Sequence, residues 1–496
     1  MTLIKLLSYI GIIALLITVA TIYFKRSNNY LISFLQHFCG TLFIVSGFVK
    51  AVDPLGTSFK MEQYFTSFYY TFENTAFSFI APIFPFFNNY VNVFSISTIV
   101  LEMVLGVMLI LGIKPKFTAW AFFLLMLFFT ILTGFTYLTG YVPMEANFFE
   151  FGKWGEFATS NMRVSDCGCF GDFLVMAPKT SFLKDVFLLI PGLIFIIYTR
   201  LFHKLFNAGA RLGLFIISII GFLFYCLNFM YWNEPSVDFR PFKEGVNIRE
   251  QKVKEQDAES KRPVSQVITP KDGGPVVTLS MDEYMKRFAE FPKDKFDILQ
   301  VTGESTIAHS KISDFRITTA TEAGDDFTDQ ILQDTGYSLM IINYKVTLDT
   351  EMKMVEVIDT IYAAEDSIKT MYDSTRTIAS IKKTNEEVEN TIFKQDWLDA
   401  YKGKILPLII KAQSKKMAVN VVFGGLSVGQ MNDAKAALNI DFPVYQGDET
   451  ILKTVIRSNP GILLWKDGAI IKKWHFNKAP DWAEIETYMK KKKKIY

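Results

Sequence analysis

The stretch FIVSGFVKAVDPLG (Phe43–Gly56) decides how this chain is read. It ends an apolar run that begins at Tyr30, long enough to cross a bilayer at roughly 20 residues per span. Yet it carries Lys50 and Asp53, and charges at membrane depth are costly and demand a partner. The next apolar run contains one acid, Glu102, in LEMVLGVMLILG (Leu101–Gly112). A Lys50–Glu102 or Lys50–Asp53 pair would satisfy the charge. Otherwise Lys50 snorkels outward and the ions are purely structural.

Working outward, the 496 residues are 50% apolar and 15% aromatic, with 47 Phe and only 21% charged residues, against about 25% charged in ordinary soluble domains. This excludes a disordered chain. Four Cys are too few for a disulfide framework, and a net charge of +2 gives no field for nucleic acid. Six spans are expected: 3–24, 30–52, 92–113, 117–139, 181–201 and 212–232. The first competes with a signal peptide. The absence of a small-residue cleavage site and the Lys25-Arg26 flank favour a retained helix. Lys25, Arg26, Lys114, Lys116, Arg200, Lys204 and Arg211 fall in alternate short loops, which the positive-inside rule places in the cytoplasm. The other loops and the polar half after residue 233 then face outward, on the periplasmic side of a bacterial inner membrane. The aromatic stretch 55–90, with Pro82 and Pro85, is expected at the interface, as an anchor or as a groove for a lipid or quinone.

Between the fourth and fifth spans stands SDCGCFGD (Ser165–Asp172). Cys167 and Cys169 are separated by one Gly. A bridge across so short a loop is strained and exchanges readily. Asp166 and Asp172 disfavour the thiolate, and Arg163 and Lys179 offset them. Three readings stand: a dithiol exchanging electrons with a protein or a quinone, a static staple, or a metal site. Cys39 and Cys226 lie in spans, where Cys behaves as a small hydrophobe; Cys226 alternatively approaches the loop as a resolving thiol. His37 reads as a helix-packing residue.

FIVSGFVKAVDPLG, followed by Lys60 and Tyr64, resembles the DoxX-like membrane family, and Glu102, Gly106 and Gly112 fall on that family's acidic and glycine positions. The DCGCFGD loop resembles the MauE branch of the same superfamily. The resemblance covers about residues 30–201 and implies a four-helix core, redox work in disulfide maturation, and kinship with thiosulfate:quinone oxidoreductase subunits. The first and sixth spans, DFRPFKEGVNI (Asp238–Ile248) and KISDFRI (Lys311–Ile317) resemble the longer Bacteroidota DoxX proteins.

The polar half divides into a charged linker (234–275), a small β-containing module (276–335) and an alternating α/β region (336–496). In the last, strands are expected at 337–347, 417–423 and 442–445, and a polar helix over 367–414. Pro460 precedes a hairpin turning at Lys466-Asp467-Gly468. This order resembles the thioredoxin fold, in which the proline is cis and borders the active site. The chain departs from that family where CxxC belongs: the segment reads NYKVTLDTEMK, and no Cys follows Cys226. The resemblance therefore implies a non-catalytic binding module. The Lys490–Lys494 run is expected to be a solvated tail.

The expected architecture is thus a membrane α-helical bundle of six spans with a DoxX-like four-helix core (30–201), preceded by 1–29 and followed by 202–233, plus a soluble thioredoxin-like α/β domain. Cys167 and Cys169 are the candidate catalytic residues. Lys50, Asp53, Glu102, Asp166, Asp172 and Pro460 are supporting candidates, and no metal ligands are expected. A membrane quinone is the candidate cofactor. Lipids and an envelope protein are the candidate partners. Two functions compete: thiol–disulfide exchange with periplasmic clients, or a non-catalytic scaffold for an envelope complex.

Overall fold

The computed structural model describes residues 2–164, 168, 170–303, 307, 309–362 and 378–492, with side chains described outside 350–390 and 491–492. The chain divides into two compact units, Met1–Lys243 and Glu244–Tyr496.

The first unit is helical. Helices α1 (Leu3–Tyr23), α2 (Tyr30–Val52), α3 (Pro54–Phe72), α4 (Ile83–Asn89), α5 (Val91–Leu111), α6 (Pro115–Thr139), α7 (Pro178–Ile197) and α8 (Ala208–Tyr231) follow in order. Among the described residues, α1, α2, α5, α6, α7 and α8 are long and apolar enough to cross a membrane. Their bounds follow the sequence expectation within a few residues, because uninterrupted apolar length is read directly from sequence. No long helix runs through Pro82 and Pro85 in the aromatic stretch. Both lie beyond α3, which runs unbroken to Phe72, and they open α4 instead.

The centre of this unit is the crossing of α2 and α5. A Cβ placed on Gly106 would sit 2.7 Å from the Gly40 carbonyl oxygen, and one on Gly40 2.8 Å from that of Gly106. Only hydrogen side chains permit such an approach, the small-residue packing common in membrane helices. Around the crossing, Phe43, Leu105, Phe122 and Phe195 form a buried core between α2, α5, α6 and α7. Helix α8 closes one flank through Cys226 and Met230, which pack on Ala51, Ile99 and Met103. Helix α1 packs through Leu6 and Ile10 on Leu42. Much of α1 and α8 carries exposed Ile, Leu and Phe, as expected of lipid-facing helices.

The second unit begins in the stretch expected to be linker, which instead carries helix α9 (Ile248–Ser260) and strand β1 (Val264–Pro270). With β2 (Val277–Ser280), helix α10 (Met281–Arg287) and β3 (Phe296–Thr302), β1 builds a three-stranded antiparallel sheet in the order β2-β1-β3. Strand β4 (Ile317–Thr319), helix α11 (Thr328–Leu332) and strand β5 (Tyr337–Asn343) follow. The 367–414 stretch is not a single helix. Strand β6 (Leu348–Tyr362) pairs antiparallel with β7 (Ile378–Phe393), and helix starts only at α12 (Gln395–Ala400), continuing to α13 (Leu406–Ser414). Lys and Glu favour helix in isolation, but pairing along the length of β6 overrides a propensity worth only tenths of a kcal/mol per residue, on the order of 0.5.

The remaining elements are β8 (Ala418–Gly424), α14 (Val428–Leu438), β9 (Val444–Gly447), α15 (Glu449–Val455), β10 (Gly461–Lys466), β11 (Ala469–His475) and α16 (Trp482–Lys492). The sheet order is β11-β10-β5-β8-β9-β4, with β5, β8 and β9 mutually parallel and the other pairings antiparallel. The Asn459–Pro460 peptide before β10 is cis, and the hairpin turns at Asp467-Gly468. Lys493 and Lys494 of the basic tail lie outside the described residues.

The two further motifs have structural roles here. Gly245, Val246 and Ile248 of the first bond the edge of β11 and its turn. In the second, Ile312, Phe315 and Ile317 are buried. Glu255 of α9 accepts bonds from the Ser310 N–H (3.0 Å), the Ser310 and Ser313 hydroxyls and the Gln251 amide (2.8 Å). Burial pushes its carboxyl up, but these donors outweigh burial and hold it below the usual value.

Two outcomes follow. Gly106→Ala forces α2 and α5 apart and should destabilise the membrane unit by about 1–3 kcal/mol, read as a lower thermal midpoint in detergent. Because Glu255 is depressed when folded, its stabilisation is present above its unfolded value and is lost as pH falls through the folded one. Glu255→Gln should therefore cost about 1–3 kcal/mol near neutrality, and the difference from the parent should shrink in acid, measured by denaturant unfolding of the second unit across pH.

Candidate functional site

Lys50 stands in the last turn of α2, and Glu102 faces it across the glycine crossing. The ammonium lies 2.6 Å from Glu102 Oε2, with the side chains 8% and 2% exposed. It also lies 4.5 Å from the centroid of the Phe129 ring on α6, within cation–π range. Asp53 is placed differently. Its Oδ1 accepts the Gly56 N–H at 3.1 Å and caps α3. The segment after α8 returns over this end of the bundle. Phe239 meets Phe173 at 5.0 Å, and the buried Arg240 is paired with Asp238 at 2.7 Å and Glu234 at 3.2 Å. Burial opposes the guanidinium's charge, but Asp238, Glu234 and Asp53 outweigh it and raise its pKa.

A second buried acid escaped the sequence reading. Asp185 of α7 is 1% exposed, accepts the Thr133 hydroxyl at 3.0 Å and pairs with Lys184. A search for charges within the fifth apolar run would have found it, since LKDVFLL places both charges inside that span.

Cys167, Cys169 and Asp166 lie outside the described residues, but their neighbours locate the loop. Phe170 is buried against Leu6, Ile10 and Leu42, and Val164 is buried against the α3–α6 side of the bundle. These two apolar residues anchor the loop on either side of the dithiol. Gly168 has φ +61°, and a Cβ there would fall 2.9 Å from Lys60 Cγ of α3. Its positive φ and this approach both require glycine. Asp172 falls in the short helical turn after Phe170.

Arg163, expected to offset the flanking aspartates, is engaged elsewhere. Its guanidinium donates to the carbonyl oxygens of Pro143, Met144 and Ala146 at 3.4, 3.0 and 3.2 Å. Cys226 is fully buried among Ala51, Ile96, Ile99 and Met103 and does not reach the loop surface; Cys39 is likewise a buried free thiol. His37 stacks on His203 at 4.4 Å and shares a 3.1 Å bond with Thr21, a packing role. Among the described residues no cluster of His, Cys, Asp and Glu could hold a metal.

Two cavities adjoin the ion pair. One, of about 30 Å³, is bordered by Gly168, Lys60, Tyr64, Thr133 and Lys50. The other, of about 20 Å³, is bordered by Lys50, Glu102, Ser46, Asp185 and Phe170. Both suit water, and neither admits a quinone ring. The donor set fits protons and small polar molecules, and no step through a quinone is assigned to these residues.

Six apolar helices around a charged, glycine-packed core, followed by a mixed α/β unit, define a multi-pass membrane protein with a soluble C-terminal domain. More particularly, residues 28–143 match the family model described as Methylamine utilisation protein MauE, which makes α2–α6 a MauE-family membrane region. The match ends before the Cys-Gly-Cys loop. Neither a curated protein nor a solved structure matches the chain.

Removing one partner of a buried ion pair strands the other charge and costs about 3–5 kcal/mol. Glu102→Leu alone should lower the thermal midpoint sharply, whereas Lys50→Met with Glu102→Leu should recover most of the loss. A double-mutant cycle in detergent measures this.

Proposed function

We propose that this chain is a bacterial inner-membrane thiol–disulfide protein whose Cys167–Cys169 dithiol exchanges with periplasmic clients. The carrying observation is Gly168, which lies between the two thiols and packs against Lys60 beside the Lys50 cavity. A cation next to a thiol favours the thiolate, the attacking species; in this reading the Lys60 ammonium, which donates to Gln63 Oε1 at 3.1 Å, supplies that charge against Asp166 and Asp172. The MauE match is in keeping with a redox-associated role.

The exchange balances without a further reagent. One cysteine thiolate attacks a client disulfide, forming a mixed disulfide and releasing one client thiolate. The second cysteine, deprotonated, attacks the mixed bond, closing Cys167–Cys169 and releasing the other client thiolate. The chain's dithiol is oxidised, the client disulfide is reduced, and the two thiol protons pass to the client thiolates. Run in reverse, the same steps oxidise the client.

The soluble unit has no Cys. We read it as a thioredoxin-like module that holds the client, with the loop carrying cis Pro460 at its binding edge. There the Tyr344 hydroxyl bonds the Arg457 carbonyl at 2.8 Å, and the Ser458 hydroxyl bonds the Pro460 carbonyl at 2.6 Å. Lipid is the other partner in this reading. An apolar cleft of about 300 Å³ bordered by Ile44, Val107, Ile110, Leu214 and Ile217 suits an acyl chain.

The same soluble unit also favours scaffolding, since it binds without reacting. The two functions separate on single Cys167→Ser and Cys169→Ser variants of the full chain in membranes. Exchange predicts a reducible protein adduct trapped in one single variant and absent from the double variant. If neither single variant traps an adduct, and the double variant retains the function that deletion of 336–496 abolishes, exchange is wrong and the scaffold stands.

A further inference from the structure

The buried ions and the loop are joined by more than proximity. Lys50 borders both cavities, and so does Phe129. A second link is Thr133, which borders the cavity under Gly168 while its hydroxyl bonds Asp185, a wall of the other cavity. Gly168, Lys60, Tyr64, Thr133, Lys50, Glu102 and Asp185 thus form a polar line from Gly168 into the bundle, bordered also by Ser46, Thr57, Thr98 and Lys184 and by Leu, Phe and Met side chains.

Each cavity has room for a water molecule or two, since about 10–15 Å³ of such space holds one, and each offers several polar partners, the second condition for occupancy. Apolar cavities stay dry, but these are bordered by three lysines, two carboxylates and several hydroxyls. Hydration also answers an energetic problem. Moving charges from water to a low-dielectric interior costs several kcal/mol per ion, on the order of 3 or more, even after relaxation. Water beside Lys50, Glu102 and Asp185 reduces that penalty while the helices remain closely packed at Gly40 and Gly106.

We propose that the two cavities are water-binding sites and that, with Lys50 and Thr133 between them, they form one hydrated seam running from the Cys-Gly-Cys loop to the Glu102 and Asp185 carboxylates. The proposal deepens the dithiol reading by giving the redox loop a polar contact with the bundle's buried charges. The water sites themselves stand on the cavity geometry.

Hydroxyl-radical footprinting of the full chain in lipid nanodiscs tests this, because radicals made by radiolysis of bound water oxidise the side chains beside it. Met126 borders the inner cavity and Phe129 borders both, yet Met126 is 1% exposed. Met108 at 2% and Phe122 at 0% are equally buried and border neither. Met126 and Phe129 should be oxidised several-fold faster than Met108 and Phe122. Ser46→Leu, which fills the inner cavity and leaves every charge in place, should remove the excess at Met126. Thr133→Val, a near-isosteric change that tests the link if Ser46→Leu fails to fold, should reduce the excess at Phe129. Equal oxidation of Met126 and Met108 in the parent chain would overturn the seam. The dithiol reading is separable: if the trapping variants show no adduct while Met126 is still oxidised preferentially, exchange fails and the seam survives.

Discussion

The membrane unit depends on one constraint, the close approach of α2 and α5. Antiparallel helices that nearly touch at Gly40 and Gly106 bring the last turn of α2 against the middle of α5, and this places Lys50 on Glu102. Neither charge is tolerable alone at that depth, so the crossing and the ion pair support each other. A wider crossing separates the ions, and a missing ion leaves a buried charge. The rest of this end of the bundle is arranged around the pair. Phe129 covers the ammonium, Asp53 turns the chain into α3, and Arg240 brings the post-α8 segment back over that turn.

The described residues flanking the Cys-Gly-Cys segment are held by packing. Phe170 and Val164 sink into apolar pockets on either side, and Gly168 lies against Lys60. The soluble unit contains no Cys. Its two motif segments serve to assemble it: one lines the edge of β11, and the other is clamped by Glu255 and Lys252 of α9.

Reading the sequence found the spans, the Lys50–Glu102 option, the strands β5, β8 and β9, and the proline before β10. These are signals carried by a few adjacent residues: apolar length, an isolated charge, or a β-branched run bounded by turns. It did not find the β6–β7 hairpin, because strand pairing depends on a partner many residues away and the Lys/Glu content favours helix locally. It assigned Arg163 to the thiols, but a guanidinium reaches whichever carbonyls the fold brings near, and here those belong to 143–146. It passed over Asp185 and Phe170, whose importance lies in what they pack against.

From the sequence follow the repeated membrane crossings, the placing of two of the four thiols in one short loop and the other two in apolar spans, and a second half without Cys. Composition and covalent order suffice for these. The tertiary structure alone settles which charge neutralises Lys50, that Lys60 packs against Gly168 while Arg163 turns to the carbonyls of Pro143, Met144 and Ala146, and that one polar cavity borders Gly168 and another the buried carboxylates. Each of those is a distance between residues remote in the chain, set by how closely helices pack, and packing distance is a property of surfaces brought together and not of any one segment.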